Sequence, residues 1–230
     1  MKSGMFVAAC AVALSVFAAQ AQEGARSTWE TASPEEQRAS VTPLMVSVCS
    51  PSGVEVPWWR PVWDVEGLRL CLPYGRCQEF TGLDVGFVTH AVNSHGVHVA
   101  GLNLVDDDVR MTLSVGVLGN VVGGSYTGFQ IGGLANVVND DVHALQIGGA
   151  ANVVGGAFKG LQVGSVNVAP VQMKNSWQIG FWNHCGDMEH GGQIGVFNYA
   201  REVSSGLQIG FINIIAHNEY PCVPIMNCHF

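Results

Sequence analysis

Gly206-Leu207-Gln208-Ile209-Gly210-Phe211-Ile212-Asn213 is a phrase this chain repeats. Upstream it returns as Gly192-Gln193-Ile194-Gly195-Val196-Phe197-Asn198, as Trp177-Gln178-Ile179-Gly180-Phe181-Trp182-Asn183 and as Gly160-Leu161-Gln162-Val163-Gly164-Ser165-Val166-Asn167. Two earlier copies, around Gln146 and Gln130, carry one extra residue before the Asn (Asn152 and Asn136). The glutamines are spaced 16, 16, 16, 15 and 15 residues apart. A fixed period of this kind decides an architecture before any single residue is considered.

Degenerate copies continue the period toward the N-terminus, with Ser114, His98, Asp84 and Arg69 at the central position. That makes ten units across residues 67–216. In most units the residues flanking the central one are Leu, Ile, Val or Phe, and the central one is polar, which is the period-two pattern of a short strand. Taken alone, that pattern predicts apolar side chains inside and the polar one outside. A Gly follows and marks a bend or close backbone approach. The Asn suits a corner, because its side chain bonds to nearby backbone. A second apolar pair and a polar stretch close the unit.

Two short strands and two turns in about 16 residues form one coil of a β-solenoid, and coils about 4.8 Å apart would make a rod of order 50 Å. Stacked coils would put Gln on Gln and Asn on Asn in amide ladders. On this reading the Gly bend cannot accept a Cβ, whereas Ser in place of a ladder Gln should cost little, since Ser114 already stands there. The alternative architecture is an outer-membrane β-barrel of ten strands, supported by the alternating tail that ends in Phe230. Against it, barrels alternate short turns with long loops, and here every link is alike.

The rest of the chain reads in four parts. Residues 1–21 carry Lys2, a short apolar run and Ala19-Gln20-Ala21, the pattern of a signal peptide with cleavage before Gln22. A lipid-attachment reading of Val7-Ala8-Ala9-Cys10 is weaker, because the apolar run before Cys10 is too short. Residues 22–66 form a polar lead-in and a cap rich in Trp and Pro, with a strand at Leu44-Met45-Val46-Ser47-Val48. Residues 67–216 are the repeat domain and 217–230 a C-terminal cap.

Composition narrows the function. The formal net charge is −8, and removing Lys2 with the leader takes it to −9. With nine scattered basic residues left, a nucleic-acid partner is excluded. Cys49, Cys71, Cys77, Cys185, Cys222 and Cys228 remain in an exported chain, which permits disulfides within the pairs 71/77 and 222/228. No spacing of Cys with His184, His190, His217 or His229 supports a metal centre. Asp106-Asp107-Asp108 and Asn139-Asp140-Asp141 read as solvated turns, since the glycine-rich calcium-roll pattern is missing. His90, His95 and His98 with Asp84 read as exposed ladder positions, not acid–base machinery.

The repeated unit resembles that of a bacterial family of surface-repeat proteins, exported by Gram-negative bacteria. The similarity covers residues 64–230, including Asp64-Val65-Glu66-Gly67-Leu68-Arg69-Leu70 and the Pro-containing tail. The resemblance implies export to the cell surface, outer membrane or periplasm, and it brings no catalytic residues. The expectation is a structural or adhesive role without catalysis or cofactor, toward an unidentified glycan or protein, with self-association and membrane association as further options. Candidate contact residues are a Gln face (Gln130, Gln146, Gln162, Gln178, Gln193, Gln208) and an aromatic platform (Trp58, Trp59, Trp63). A carbohydrate-active β-helix enzyme is the third reading.

Overall fold

The computed structural model describes residues 40–48, 54–56 and 62–229. The leader, Cys49, Trp58 and Trp59 lie outside the described residues, as does the side chain of Trp63. The described chain is all β, with no helix, and forms a β-solenoid and not a barrel. Its strands are β1 (Ser40–Val48), β2 (Val54–Val56), β3 (Val62–Val105), β4 (Val109–Val122), β5 (Tyr126–Gly132), β6 (Ala135–Val138), β7 (Val142–Val154), β8 (Ala157–Met173), β9 (Ser176–Met188), β10 (Gly191–Val203), β11 (Gly206–Ile215) and β12 (Cys222–His229). Most of these wrap around a coil and turn its corners, so β3 alone runs through several coils. From β1 to β11 each coil pairs in parallel with the next.

Both ends are closed by reversal. At the C-terminus β12 runs antiparallel to β11, placing Asn227 opposite Gln208. At the N-terminus β2 runs antiparallel along the last three residues of β1. The strand anticipated at residues 44–48 is thus a further coil: Met45 pairs with Arg69 and occupies the central position ahead of it.

The register is the one the period demands. Gln130, Gln146, Gln162, Gln178, Gln193 and Gln208 stack in one column. Asn103, Asn120, Asn136, Asn152, Asn167, Asn183, Asn198 and Asn213 stack in another. The polarity, however, is the reverse of the expectation. Gln130 is 0% exposed, while its neighbours Phe129 and Ile131 are 57% and 40% exposed. The same inversion runs through Gln178, flanked by exposed Trp177 and Ile179. The Gln column is therefore interior and is not a contact face.

An amide can sit inside because its neighbours above and below are also amides. Each Gln Nε2 donates to the Gln Oε1 of the preceding coil, from Gln146 onto Gln130 through to Gln208 onto Gln193, at 2.8–2.9 Å. Each Asn Nδ2 donates to the Asn Oδ1 of the following coil, from Asn103 onto Asn120 through to Asn198 onto Asn213. The same Nδ2 groups also donate to a backbone carbonyl of that next coil, such as Ile147 O for Asn136. The two ladders thus point their N–H groups in opposite directions along the rod, so their amide dipoles oppose. A buried amide left without such partners would cost about 1–3 kcal/mol per unmet group, which is why only an unbroken run works.

The other half of the interior is apolar. Val109, Tyr126, Val142 and Phe158 form one column. Ala169, Cys185, Ala200 and Ile215 form a second, beside Met173, Met188 and Val203. Burying each larger side chain stabilises the fold by about 1.5–3 kcal/mol.

The bend glycine is required sterically, as anticipated. A Cβ on Gly180 would lie 2.1 Å from the Gly164 carbonyl oxygen and 2.6 Å from Asn167 Nδ2. Positive φ belongs instead to the opposite corner, as at Gly160 (φ +133°).

Candidate functional site

The six-glutamine regularity stops at Gln130, and the polar chemistry of the molecule lies on the N-terminal side of it. There the central column holds Arg69, Asp84, His98 and Ser114, all buried. Arg69 grips Asp84 with two bonds, Nε to Oδ1 at 3.0 Å and Nη2 to Oδ2 at 2.5 Å. Its Nη1 donates to the Cys77 sulfur at 2.7 Å and to the His90 carbonyl at 2.9 Å. Phe80 lies beneath, its ring 5.1 Å from the guanidinium carbon and 5.0 Å from the His98 ring.

His98 continues the chain of bonds. Its Nδ1 is 3.2 Å from Asp84 Oδ2, and its Nε2 is bonded to Ser94 Oγ. A carboxylate can only accept, so Nδ1 carries the proton and the Ser94 hydroxyl donates to Nε2. Burial alone would raise the Asp84 pKa. The Arg69 charge and the bonds from His98 and Arg69 overcome that and hold it below the usual carboxylate range. Burial likewise pushes the neighbouring Cys71 thiol up to about 12, so it is no thiolate nucleophile.

A second network lies beside the first. Tyr74 Oη is 2.6 Å from His90 Nδ1, and His90 Nε2 is 2.7 Å from Asp106 Oδ1. Arg76 Nη2 donates to Asp106 Oδ2 at 3.0 Å. Desolvation works against the Asp106 charge too, but the bond and charge of His90, with Arg76, keep its pKa low. The expectation that Asp84, His90 and His98 are exposed is therefore corrected: each partners a charge or hydroxyl inside the solenoid. His95 alone of the trio is exposed.

Ser94, His98 and Asp84 have the connectivity of a hydrolytic triad, Oγ to Nε2 and Nδ1 to carboxylate. Connectivity is not enough. Ser94 is 5% exposed and its hydroxyl points into the coil interior. Three surface grooves are lined by other residues; one of about 870 Å³ runs along Val97, Leu113, Phe129, Leu145 and Leu161. Asp84 is also neutralised by Arg69, whereas a triad aspartate has to stabilise a new imidazolium. As arranged, this is a buried ionic lock between coils.

The other expected features resolve as follows. Asp108 and Asp141 cap turns of the next coil, accepting from Ser125 N at 2.9 Å and Ala157 N at 2.7 Å. Cys222 and Cys228 stand six residues apart on one strand, about 20 Å, and are unpaired thiols. No disulfide joins Cys71 to Cys77. Ser114 is accommodated because Tyr126 fills the space a Gln would take, its hydroxyl 3.3 Å from Ser114 Oγ. The Tyr126 hydroxyl has one proton to donate, and Phe129 O at 2.6 Å is the nearest acceptor, with Thr112 O at 3.0 Å. Even so, Gln130 Nε2 is left without a partner at this junction.

The exterior carries aromatic side chains of its own. Phe181, Trp182 and Phe211 project from the corner after the bend, and Phe181 and Trp182 both pack on Phe197, with ring centroids 5.7 and 5.5 Å apart. His184 stacks on Tyr199 at 4.9 Å. These residues follow the bend Gly, beyond the alternating stretch whose pattern assigns a face, so no signal in the sequence places them. No protein-family model matches the chain, and comparison with curated proteins and with solved structures also finds no match.

Proposed function

We propose that the chain is an exported repeat protein of the cell surface, outer membrane or periplasm, with a structural or adhesive role and no catalysis. One observation carries this reading: in the central column and the Asn column the polar side chains are turned inward and bonded to one another, while the apolar residues flanking the central column and the aromatic residues after the bend are turned outward. Such a molecule works by its outer faces. The resemblance of the repeated unit to exported surface-repeat proteins, and the leader pattern at residues 1–21, support the location. A glycan or a protein is the ligand class in view, and the Phe181, Trp182, Phe197 and Phe211 group is the best-formed contact surface.

Two measurements test it. Immobilised protein is exposed to polysaccharides, and retention without turnover is the expected result. A fluorophosphonate probe, which captures activated serines, is expected to leave Ser94 unlabelled. Labelling of Ser94 would overturn the non-catalytic reading and restore the triad of Ser94, His98 and Asp84.

A further inference from the structure

The face that flanks the Gln column is a continuous apolar surface of the rod. Leu113, Phe129, Ile131, Ile147, Trp177 and Ile209 are all at least 37% exposed on it, and no polar side chain interrupts the two flanking columns from Leu83 to Ile209. Coils about 4.8 Å apart and strands of about 16 Å make this face on the order of 700 Å², above the roughly 300–600 Å² of the largest patch on an ordinary monomer.

We propose that this face is the contact between two copies of the chain, packed side by side about a two-fold axis. Four observations choose a second copy over other occupants. The area approaches the roughly 800 Å² per partner of a stable interface. The surface is periodic, with apolar side chains stacked in register from coil to coil, so the same patch can meet itself about a two-fold axis. It also has a polar rim: Thr127, His143 and Lys159 stack in a register column along its edge. Finally, end-to-end growth is blocked, because the outermost strand β12 carries Pro224 and β2 lies across part of β1.

The competing occupants fit less well. An anionic membrane surface would repel a chain with 18 acidic and 10 basic residues. The chain's own residues 22–39 are too polar to cover an apolar sheet.

The proposal deepens the reading of the exterior as the working surface and rests on it. Sedimentation velocity on the mature chain, from sub-micromolar to tens of micromolar, is expected to show a reversible dimer. Ile147→Glu with Ile179→Glu places charges in the centre of the contact without touching the interior. The pair should weaken the dimer at least about 100-fold with unchanged circular dichroism. Phe181→Glu with Phe211→Glu, on the adjoining corner, should leave it intact. A wild-type monomer at every concentration overturns the proposal, as does a dimer that dissolves only with the corner variants. Flotation of monomeric protein with phosphatidylcholine–phosphatidylglycerol vesicles would also overturn it, in favour of lipid. A monomer that still retains a polysaccharide would sink the dimer and leave the proposed function standing.

Discussion

The coils before Ser114 and the coils after it have the same backbone and opposite strategies for a polar interior. After the junction, identical amides repeat, and each coil satisfies its neighbour with neutral hydrogen bonds. Before it, every coil is different, and the column runs Met45, Arg69, Asp84, His98. Those coils satisfy one another by charge and shape: Arg69 fits Asp84, Asp84 fits His98, and Phe80 fills what remains. The lesson concerns register. An amide ladder is equally content if a coil slips by one whole unit, because Gln meets Gln again. The charged coils have only one mate each, so they pin the alignment of the stack from the N-terminal end. The two regions should accordingly fail differently.

The largest effect is expected where a charge loses its mate. Asp84→Ala leaves the Arg69 guanidinium buried and uncompensated, and should cost about 3–5 kcal/mol in urea unfolding. The double variant Arg69→Met with Asp84→Leu removes both charges and should recover most of that loss. If the single variant costs nothing, the N-terminal lock is not holding the stack.

Breaking the neutral ladder should come next. Gln162→Leu orphans Gln146 Oε1 and one bond of Gln178 Nε2, for a cost of about 3 kcal/mol. Gln162→Ser should do little better, because no Tyr126 stands ready to fill the gap there. Denaturation of the two variants side by side checks this, and a near-neutral Ser variant would mean the ladder is expendable.

How much of this was legible in the sequence follows from which residues vary. The period, the strand–bend–strand unit, the stacking of Gln on Gln and the steric role of Gly180 could all be read, since they depend on spacing alone. The inside and the outside could not be read from alternation, which defines two faces without saying which is buried. The assumption that apolar side chains go inward then gave the wrong answer. A better signal was present: the central position is Gln six times over, while the position before it is Phe129, Leu145, Leu161, Trp177, Gly192 and Leu207. A site that accepts anything from Gly to Trp has space around it; a site fixed in one residue is fitted to its neighbours. The N-terminal lock was hidden for another reason. Arg69, Asp84 and His98 are equivalent in the repeat, but Ser94, Cys77 and His90 reach them from other corners, and only the winding of the coil brings these together.

A smaller effect is expected from Gly180→Ala. Its Cβ must displace the Gly164 carbonyl and Asn167 Nδ2, an overpacking cost of about 2 kcal/mol. Removing a whole coil, residues 162–177, should be milder still and should lower the melting temperature only modestly, because the new neighbours Leu161 and Gln178 restore the ladder. Deleting residues 84–97 instead removes Asp84 and should abolish cooperative folding. Comparable outcomes for the two deletions would erase the distinction between the regions.

The pH dependence should be the gentlest probe. Asp84 and Asp106 titrate lower in the folded state than in the unfolded chain. Their contribution is therefore present above the ordinary carboxylate range, near pH 4, and is lost as pH falls below it. Cys71 and Cys185 are raised from 9.0 to about 12 by burial. The unfolded chain then ionises first, and stability should decline as pH rises from about 9 toward 12. Urea midpoints across this range check both limbs, and Asp84→Asn should flatten the acid limb.

In the central column the polar side chains face inward and their apolar neighbours outward, and side-chain amide exchange measures that directly. In an NMR hydrogen-exchange experiment on the intact protein, the Nε2 protons of Gln162, Gln178 and Gln193 should persist far longer than those of solvated glutamine, since each is buried and bonded to the next coil. Exchange of these amides at the rate of free glutamine, in a protein whose backbone amides stay protected, would show that the Gln column faces water and would contradict the inverted interior.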